Sequence, residues 1–397
     1  MEKLAILDGS PVRDKDAAWP QWPVHNDSEK TAVLDVLESG EWFYGPRVEK
    51  FEKEYAAFQG AAHGVSCTSG TTALEIVFQA LGIGPGDEVI VPPYTFIATA
   101  SAVMRVGANP IFADIDDTWC MDPKAVEACI TDKTKAVVPV HFGGRISDVD
   151  ALRALAEANG LPLVEDACHS WGAQLEGAGT GTLGLCGVFS FQQSKNITAG
   201  EGGIIISNDA EFAAHCRSLT NCGRAEGGVW YHHINVGTNA RMTEIQAAIL
   251  SAQLERLEEQ TLLRDKNGRW LDSQLNAIDG ITVQRRSDRV NRRAYHLYCL
   301  QIDEAAFGCS REQMIKAAEA EGLEISAGYP LPLYDQPAII EWYKNHDLPI
   351  PACPVVEDIC QKSGAWMLHT VLLGSDEDMQ DIVSIFQKIK AQAGELS

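Results

Sequence analysis

The stretch "HGVSCTSGTTALEIVFQALGIGPGDEVIVP", residues 63–92, decides the fold. "HGVSC" is a short apolar run of strand length. A glycine turn follows, then "TTALEIVFQALGIG", with helical spacing and a glycine stop. "DEVIVP" is a second strand. Parallel strands need a crossover of this length, usually a helix, so the segment reads as one strand–helix–strand unit.

Working outward, the alternation continues from about Ala62 to Ser207. "TFIATASAVMRVG" is helical, "NPIFADID" a strand, "DPKAVEACI" a helix and "KAVVPVH" a strand. "DVDALRALAEANG" is a helix. "LPLVEDA", "GVFSF" and "GGIIIS" are strands, and "DAEFAAHCRSL" is a helix. The strands are continuous apolar runs, as expected when both faces are covered. The expectation is an α/β fold with a mostly parallel central sheet sandwiched by helices. In such sheets ligands bind outside the carboxyl ends of the strands. Chemistry should therefore sit just after "HGVSC", "LVED" and "GVFSF".

The pattern changes near Arg241. "RMTEIQAAILSAQLERLEEQ" is a long amphipathic helix, and Thr243 with Gln246 has capping-box spacing. Beyond Arg264 the alternation loosens. "AYHLYCLQI" reads as a strand, "REQMIKAAEAEG" as a helix, and "DEDMQDIVSIFQKIKAQAG" as a terminal helix. The expected organisation is an N-terminal arm (1–35), a large domain (36–263) and a smaller C-terminal α+β domain (264–397).

Composition narrows the function classes. The 397 residues carry 32 basic and 55 acidic side chains, a formal charge of -23. Nucleic acid and anionic membrane select basic surfaces, so neither is expected as a partner. The first twenty residues lack the long apolar core of a signal peptide. The 11 cysteines are scattered with no C-x-x-C pair, which suits reduced thiols in a cytoplasm and gives no metal site.

Three strand ends carry chemistry. In "TSGTTAL", a glycine turn opens a helix; its N–H groups and the hydroxyls of Ser69, Thr71 and Thr72 could hold an anion. The same residues would serve as an ordinary N-cap. In "LVEDACHSWGA", Glu165 and Asp166 close a strand, and Asp166 either caps a turn or faces a cation. In "FSFQQSKNITAGEGG", Ser190 and Lys195 follow a strand and precede the Gly200–Gly203 turn. A lone lysine there is costly to desolvate, so on its own it reads as a solvated loop residue. Gly179, Gly181 and Gly184 in "GTGTLG" match G-x-G-x-x-G, but a strand follows where a dinucleotide site requires a helix. Together the three ends ask for one ligand with an anion, a basic ring nitrogen and a carbonyl. Pyridoxal 5'-phosphate has all three.

The segments "GDEVIVPPYTFIATASAV", "FADID", "TKAVVPVHFGG", "VEDACHSWGA", "FSFQQSKNITAGEGG" and "GTNARMTEIQAAIL" closely resemble the DegT/DnrJ/EryC1/StrS family, fold-type-I pyridoxal phosphate aminotransferases of keto-sugars and related rings. The resemblance covers nearly the whole chain. It implies a homodimer with composite active sites. By motif, Lys195 is the Schiff-base lysine and Asp166 the partner of the pyridine nitrogen. Ser190 and the Gly70–Thr71–Thr72 turn hold the phosphate. Phe96 stacks on one ring face, Cys168 lies against the other, and His169 stands where many relatives carry glutamine. Asn239 reaches the phosphate from the partner subunit.

Lys195 sets the chain apart from family dehydratases, which carry histidine there. "SFQQSK" and "WMLHTVLLGSDEDM" lean toward the scyllo-inosose aminotransferases and the 3-amino-5-hydroxybenzoate synthases. The implied activity is ping-pong transfer of an amino group from glutamate or glutamine to a keto-sugar or keto-cyclitol. An aromatising synthase and a non-catalytic regulatory protein are the alternatives. His296, Tyr329, Tyr94 and His369 are candidates for the acceptor pocket. Arg145 and Arg241 are candidates for a donor carboxylate, or for simple surface pairs.

Overall fold

Seven strands join into one twisted sheet at the centre of the molecule. The computed structural model describes residues 3–14, 17–225, 227, 229 and 231–396. Helices α1 (Asp27–Ser39) and α2 (Pro46–Gln59) come first. Then follow β1 (His63–Cys67), α3 (Gly70–Ala80), β2 (Glu88–Val91), α4 (Ala98–Arg105) and β3 (Asn109–Phe112). The alternation continues with α5 (Pro123–Cys129), β4 (Thr134–Val137), α6 (Val149–Ala158) and β5 (Val164–Asp166). The short strands β6 (Gln174–Leu175) and β7 (Ala178–Gly179) precede β8 (Cys186–Ser190), β9 (Gly203–Ser207) and α7 (Ala210–Thr220).

The ladders run β1-β9-β8-β5 and β3-β2-β4. Parallel bridges Val137–Leu163 and Val140–Asp166 join β4 to β5, and Asp166 N–H donates to Pro139 O at 2.9 Å. The combined order is β1-β9-β8-β5-β4-β2-β3. The expected mostly parallel sheet is present, with one departure. β9 runs antiparallel to both β1 and β8. The glycine turn reverses the chain there: Gly200 sits at φ +84°, a region costly for any side chain.

Alternate residues of β8 feed opposite faces. Val188 joins Leu74, Val77 and Leu219 from α3 and α7. Phe189 joins Phe51 and Tyr55 of α2 on the other side. Every residue of β2, β8 and β9 is buried, which explains their unbroken apolar sequence.

Helix α8 (Glu244–Leu275) starts on the expected capping box: Gln246 Oε1 accepts from Thr243 N–H at 3.0 Å, and Thr243 Oγ1 accepts from Gln246 N–H. It runs unbroken past residue 263, and its last turns, Leu271 and Leu275, enter a second core. That core is built on β10 (Ile281–Val283), β12 (Leu297–Ile302) and β13 (Gly364–Leu368), an antiparallel sheet. Strand β11 (Val290–Arg292) pairs instead with β6. Helices α9 (Glu304–Phe307), α10 (Arg311–Ala320), α11 (Pro337–Asn345), α12 (Pro354–Asp358) and α13 (Asp376–Ala391) complete the chain. Leu4, Leu7, Val12 and Trp19 of the N-terminal segment pack on this second core. Among the described residues, no helix is long and apolar enough to cross a membrane.

Candidate active site

The carboxyl ends of β1, β5 and β8 open on one cavity of about 590 Å³. Ser69, Gly70 and Thr71 line it from the start of α3. Ser69 is the N-cap, accepting from Thr72 N–H at 3.1 Å. A Cβ on Gly70 would lie 2.9 Å from both Cys168 Sγ and Ser190 Cβ, so only glycine lets three strand ends meet here. Thr72 stands one step back, its hydroxyl bonded to Ser69 and Thr68. The turn before β9 makes the same helix start reachable: a Cβ on Gly203 would meet Ser69 C and O at 2.4 Å.

Asp166, at the end of β5, is buried to 4% exposure. Its Oδ2 accepts from Thr99 Oγ1 at 2.7 Å and its Oδ1 from Cys168 N–H at 3.2 Å. The carboxylate is thus aimed. Its neighbour Glu165 points the other way and is fully buried. Glu165 accepts from the N–H groups of Gly181, Leu183 and Gly184 at 2.7, 2.7 and 2.8 Å. His141 Nδ1 accepts from Ser147 N–H, so its Nε2 donates to Glu165 at 2.8 Å. The glycine-rich "GTGTLG" run therefore spends its N–H groups on a buried acid. The paired acids divide the work, one for the site and one for the loop beside it.

Lys195 follows β8 in a tight turn closed by Lys195 N–H to Gln192 O at 2.9 Å. Its Nζ lies 5.8 Å from the centroid of the Trp171 ring. Among the described residues, Nζ makes no hydrogen bond. Burial pulls its pKa below the ordinary lysine value, against the opposite pull of Cys168 and Asp166. Burial pushes the Cys168 thiol well up, so it stays a neutral thiol. Burial, then the Lys195 charge, holds His169 and His296 well below the usual imidazole value. The result is an amine poised to lose its proton in a pocket of neutral neighbours and one aimed carboxylate.

Residues 23–387 match the DegT/DnrJ/EryC1/StrS aminotransferase family. The chain belongs to this family. It is 35% identical over 96% of its length to 99% of 3-amino-5-hydroxybenzoate synthase from Amycolatopsis mediterranei. It is 38% identical, over 100% of both chains, to L-glutamine:2-deoxy-scyllo-inosose aminotransferase from Micromonospora echinospora. The crystal structure of a 3-amino-5-hydroxybenzoic acid synthase superposes with a TM-score of 0.87 at 34% identity, covering 94% of this chain and 99% of that one.

In this aminotransferase the cavity gathers Gly70, Thr71, Phe96, Asp166, Cys168, His169, Ser190 and Lys195. His296 and Tyr329 line it as well. Tyr94 lies behind Tyr329, with ring centroids 5.3 Å apart, and His369 stands behind His296 at 5.7 Å. Asn239 is exposed and bridges to Asn221, outside the cavity lining. Arg145 donates to the carbonyls of Arg285 and Ile146, and Arg241 donates to Asn221 Oδ1. Neither arginine lines the cavity.

The sequence reading missed Thr99, Gln192, Glu201, Trp366 and Leu368, all on the cavity wall. Thr95, in the bend before α4, and Thr99, in its first turn, are four apart, with hydroxyls 3.1 Å from each other. Thr95 stands outside the helix, so its spacing from Thr99 alone does not mark the pair. Trp366 and Leu368 share a face of β13 by strand alternation, but nothing local says which cavity that face meets.

Proposed function

We propose that this aminotransferase uses pyridoxal phosphate to carry an amino group from glutamine or glutamate to a keto-cyclitol or keto-sugar. The observation that carries the reading is the meeting of Lys195, Asp166 and the start of α3 in one cavity. These residues fit the group's three handles. The helix start at Gly70–Thr71, with the hydroxyls of Ser69 and Ser190, suits a phosphate. Asp166 suits a protonated pyridine nitrogen, and Lys195 suits the aldehyde. Phe96 and Cys168 would flank the ring.

The bound group supplies an aldehyde carbon and an electron-withdrawing ring. This chain's residues do the rest. Asp166, aimed by Thr99 and Cys168, would keep a proton on the ring nitrogen. Lys195, its pKa lowered by burial, would take and return the proton at the donor's Cα. Neutral His169 accepts from Gly143 N–H at Nδ1, so its Nε2–H is free to donate into the cavity. At the acceptor end, Tyr329 and Trp366 offer flat apolar faces while Glu201, Gln192 and Ser194 offer hydrogen bonds. A cyclitol ring, with C–H faces and a hydroxyl rim, suits such walls. Identity with the glutamine-dependent inosose aminotransferase supports the donor and acceptor class.

The test has separate arms. Borohydride reduction of the pyridoxal phosphate-loaded protein should leave the cofactor on the Lys195 peptide by mass spectrometry. Acceptor assays should then yield an aminocyclitol from inosose or deoxyinosose with glutamine. Cofactor trapped elsewhere, or not at all, would overturn the site. Turnover confined to nucleotide-linked keto-hexoses would overturn the cyclitol reading. The likeness to 3-amino-5-hydroxybenzoate synthase favours a second reading, an aromatising reaction. An ultraviolet-absorbing aromatic amine from a dehydroshikimate-type acceptor would establish it.

A further inference from the structure

Behind Lys195, away from the cavity, three side chains from distant parts of the chain touch one another. Trp22 lies in the N-terminal segment, Arg264 in α8, and His369 just after β13. The rings of Trp22 and His369 meet edge-on with centroids 4.7 Å apart. The Arg264 guanidinium lies 5.5 Å from the Trp22 ring centroid. Arg264 is fully buried, and among the described residues no carboxylate pairs with it.

The hydrogen bonds fix the direction of the contact. Arg264 Nη2 is 3.0 Å from His369 Nδ1. A guanidinium has no acceptor, so Nδ1 accepts and the ring proton sits on Nε2. That Nε2–H donates to Ser194 O at 3.1 Å. Trp22 Nε1–H donates to Gln193 O, also at 3.1 Å. The two consecutive carbonyls immediately before Lys195 are therefore each gripped from outside the turn. A proton on Nδ1 would set N–H against the Arg264 N–H, so the arginine disfavours the Nδ1–H tautomer, the neutral form that has no Nε2–H to give Ser194.

The turn does not hold itself in place. Gln193 and Ser194 are exposed. Ser194 N–H and Oγ bond to Gln192 Oε1, and Lys195 N–H bonds to Gln192 O. These contacts set the shape of the turn but not its position in the fold. Among the described residues, the outside hydrogen bonds of Gln193 and Ser194 are those from Trp22 and His369. We propose that Trp22, His369 and Arg264 are positioning residues that set where the Lys195 amine stands. The proposal rests on Lys195 being the reacting amine. Misplacement by about 1 Å is enough to cost roughly 100-fold in rate.

The experiment measures the amine directly, before any turnover. Apoprotein is acetylated with a trace of acetic anhydride across a pH series, and labelling of the Lys195 peptide is read by mass spectrometry. The charged and titratable groups facing this amine are Asp166, Cys168, His169, His296 and His369 itself; the first four stay in every variant, and both His369 variants lose the same ring, so a difference between leucine and glutamine reports the hydrogen bond. His369→Leu should shift the Lys195 titration upward, toward that of a surface lysine, because a loosened turn admits water. It should slow the glutamine half-reaction by about 100-fold with little change in KM. His369→Gln places an amide N–H near the Nε2 position and should recover most of both. Trp22→Phe keeps the ring and removes one donor, and should fall between. Thermal melting tracks folding; if His369→Leu fails to fold, Trp22→Phe decides. Unchanged Lys195 titration in the folded variants would overturn the proposal, as would a loss that the glutamine variant does not recover. The labelling arm needs no cofactor or acceptor, so failure of the aminotransferase reading would show separately, as a wild type with no half-reaction.

Discussion

Thr99 illustrates how one side chain can aim another on which the proposed chemistry depends. Its hydroxyl bonds Asp166 at 2.7 Å, and Cys168 N–H is the carboxylate's other partner. A hydrogen bond to a charged group contributes about 1.5–3 kcal/mol. Thr99→Val keeps the shape and removes the donor, so kcat should fall roughly 10- to 100-fold while cofactor is retained. Steady-state assays beside cofactor titration check this; an unchanged kcat would remove Thr99 from the site. Lys195 carries a pH consequence with a definite sign. Its folded pKa is lowered by burial, so between the folded and unfolded values the unfolded chain binds more protons. Raising the pH through that window therefore stabilises the apoprotein. Lys195 could not be recognised as unusual from its own neighbours in sequence. Trp171 and His296, which stand near its amine, lie far along the chain.

Elements explain why the rest of the site was partly legible. The strand–helix alternation named every strand of the central sheet, because strands buried on both faces must be apolar throughout. The direction of β9 was not legible: "GGIIIS" is equally apolar in either direction, and only the glycine turn hints at a reversal. Glu165 belongs to this scale too. It ties β5 to the loop between β7 and β8 through the N–H groups of Gly181, Leu183 and Gly184 and through His141. Glu165→Ala would orphan these buried donors and should cost about 3–5 kcal/mol. Denaturant melts check the loss; Glu165→Gln should recover part of it. A loss below about 1 kcal/mol would mean the loop finds other partners. The sequence reading placed Glu165 beside Asp166 but could not divide their roles, since both end the same strand and only the fold turns them to opposite sides.

At the scale of the molecule, exposed groups bear on assembly. Trp42 and Phe43 are 54% and 63% exposed, and Asn239 stands apart from the cavity that motif reading assigns it to. A composite site across a homodimer would account for both. Lys195→Ala and Asn239→Ala chains, each weakly active alone, should then regain activity when unfolded together and refolded. Hybrid dimers would carry one site with both residues intact. No gain on mixing, with dimers present by light scattering, would place Asn239 outside the site. The reversed strand has a further consequence, for folding. β9 pairs on one side with β8, its near neighbour in sequence, and on the other with β1, where His63 faces Ser207. The hairpin bearing Lys195 is local and quick to close; the β1 partnership must wait for most of the large sheet's chain to be in hand. Since β1 delivers the helix start proposed to hold the phosphate, competence to take up cofactor should emerge late in refolding, after most helix and strand signal has returned.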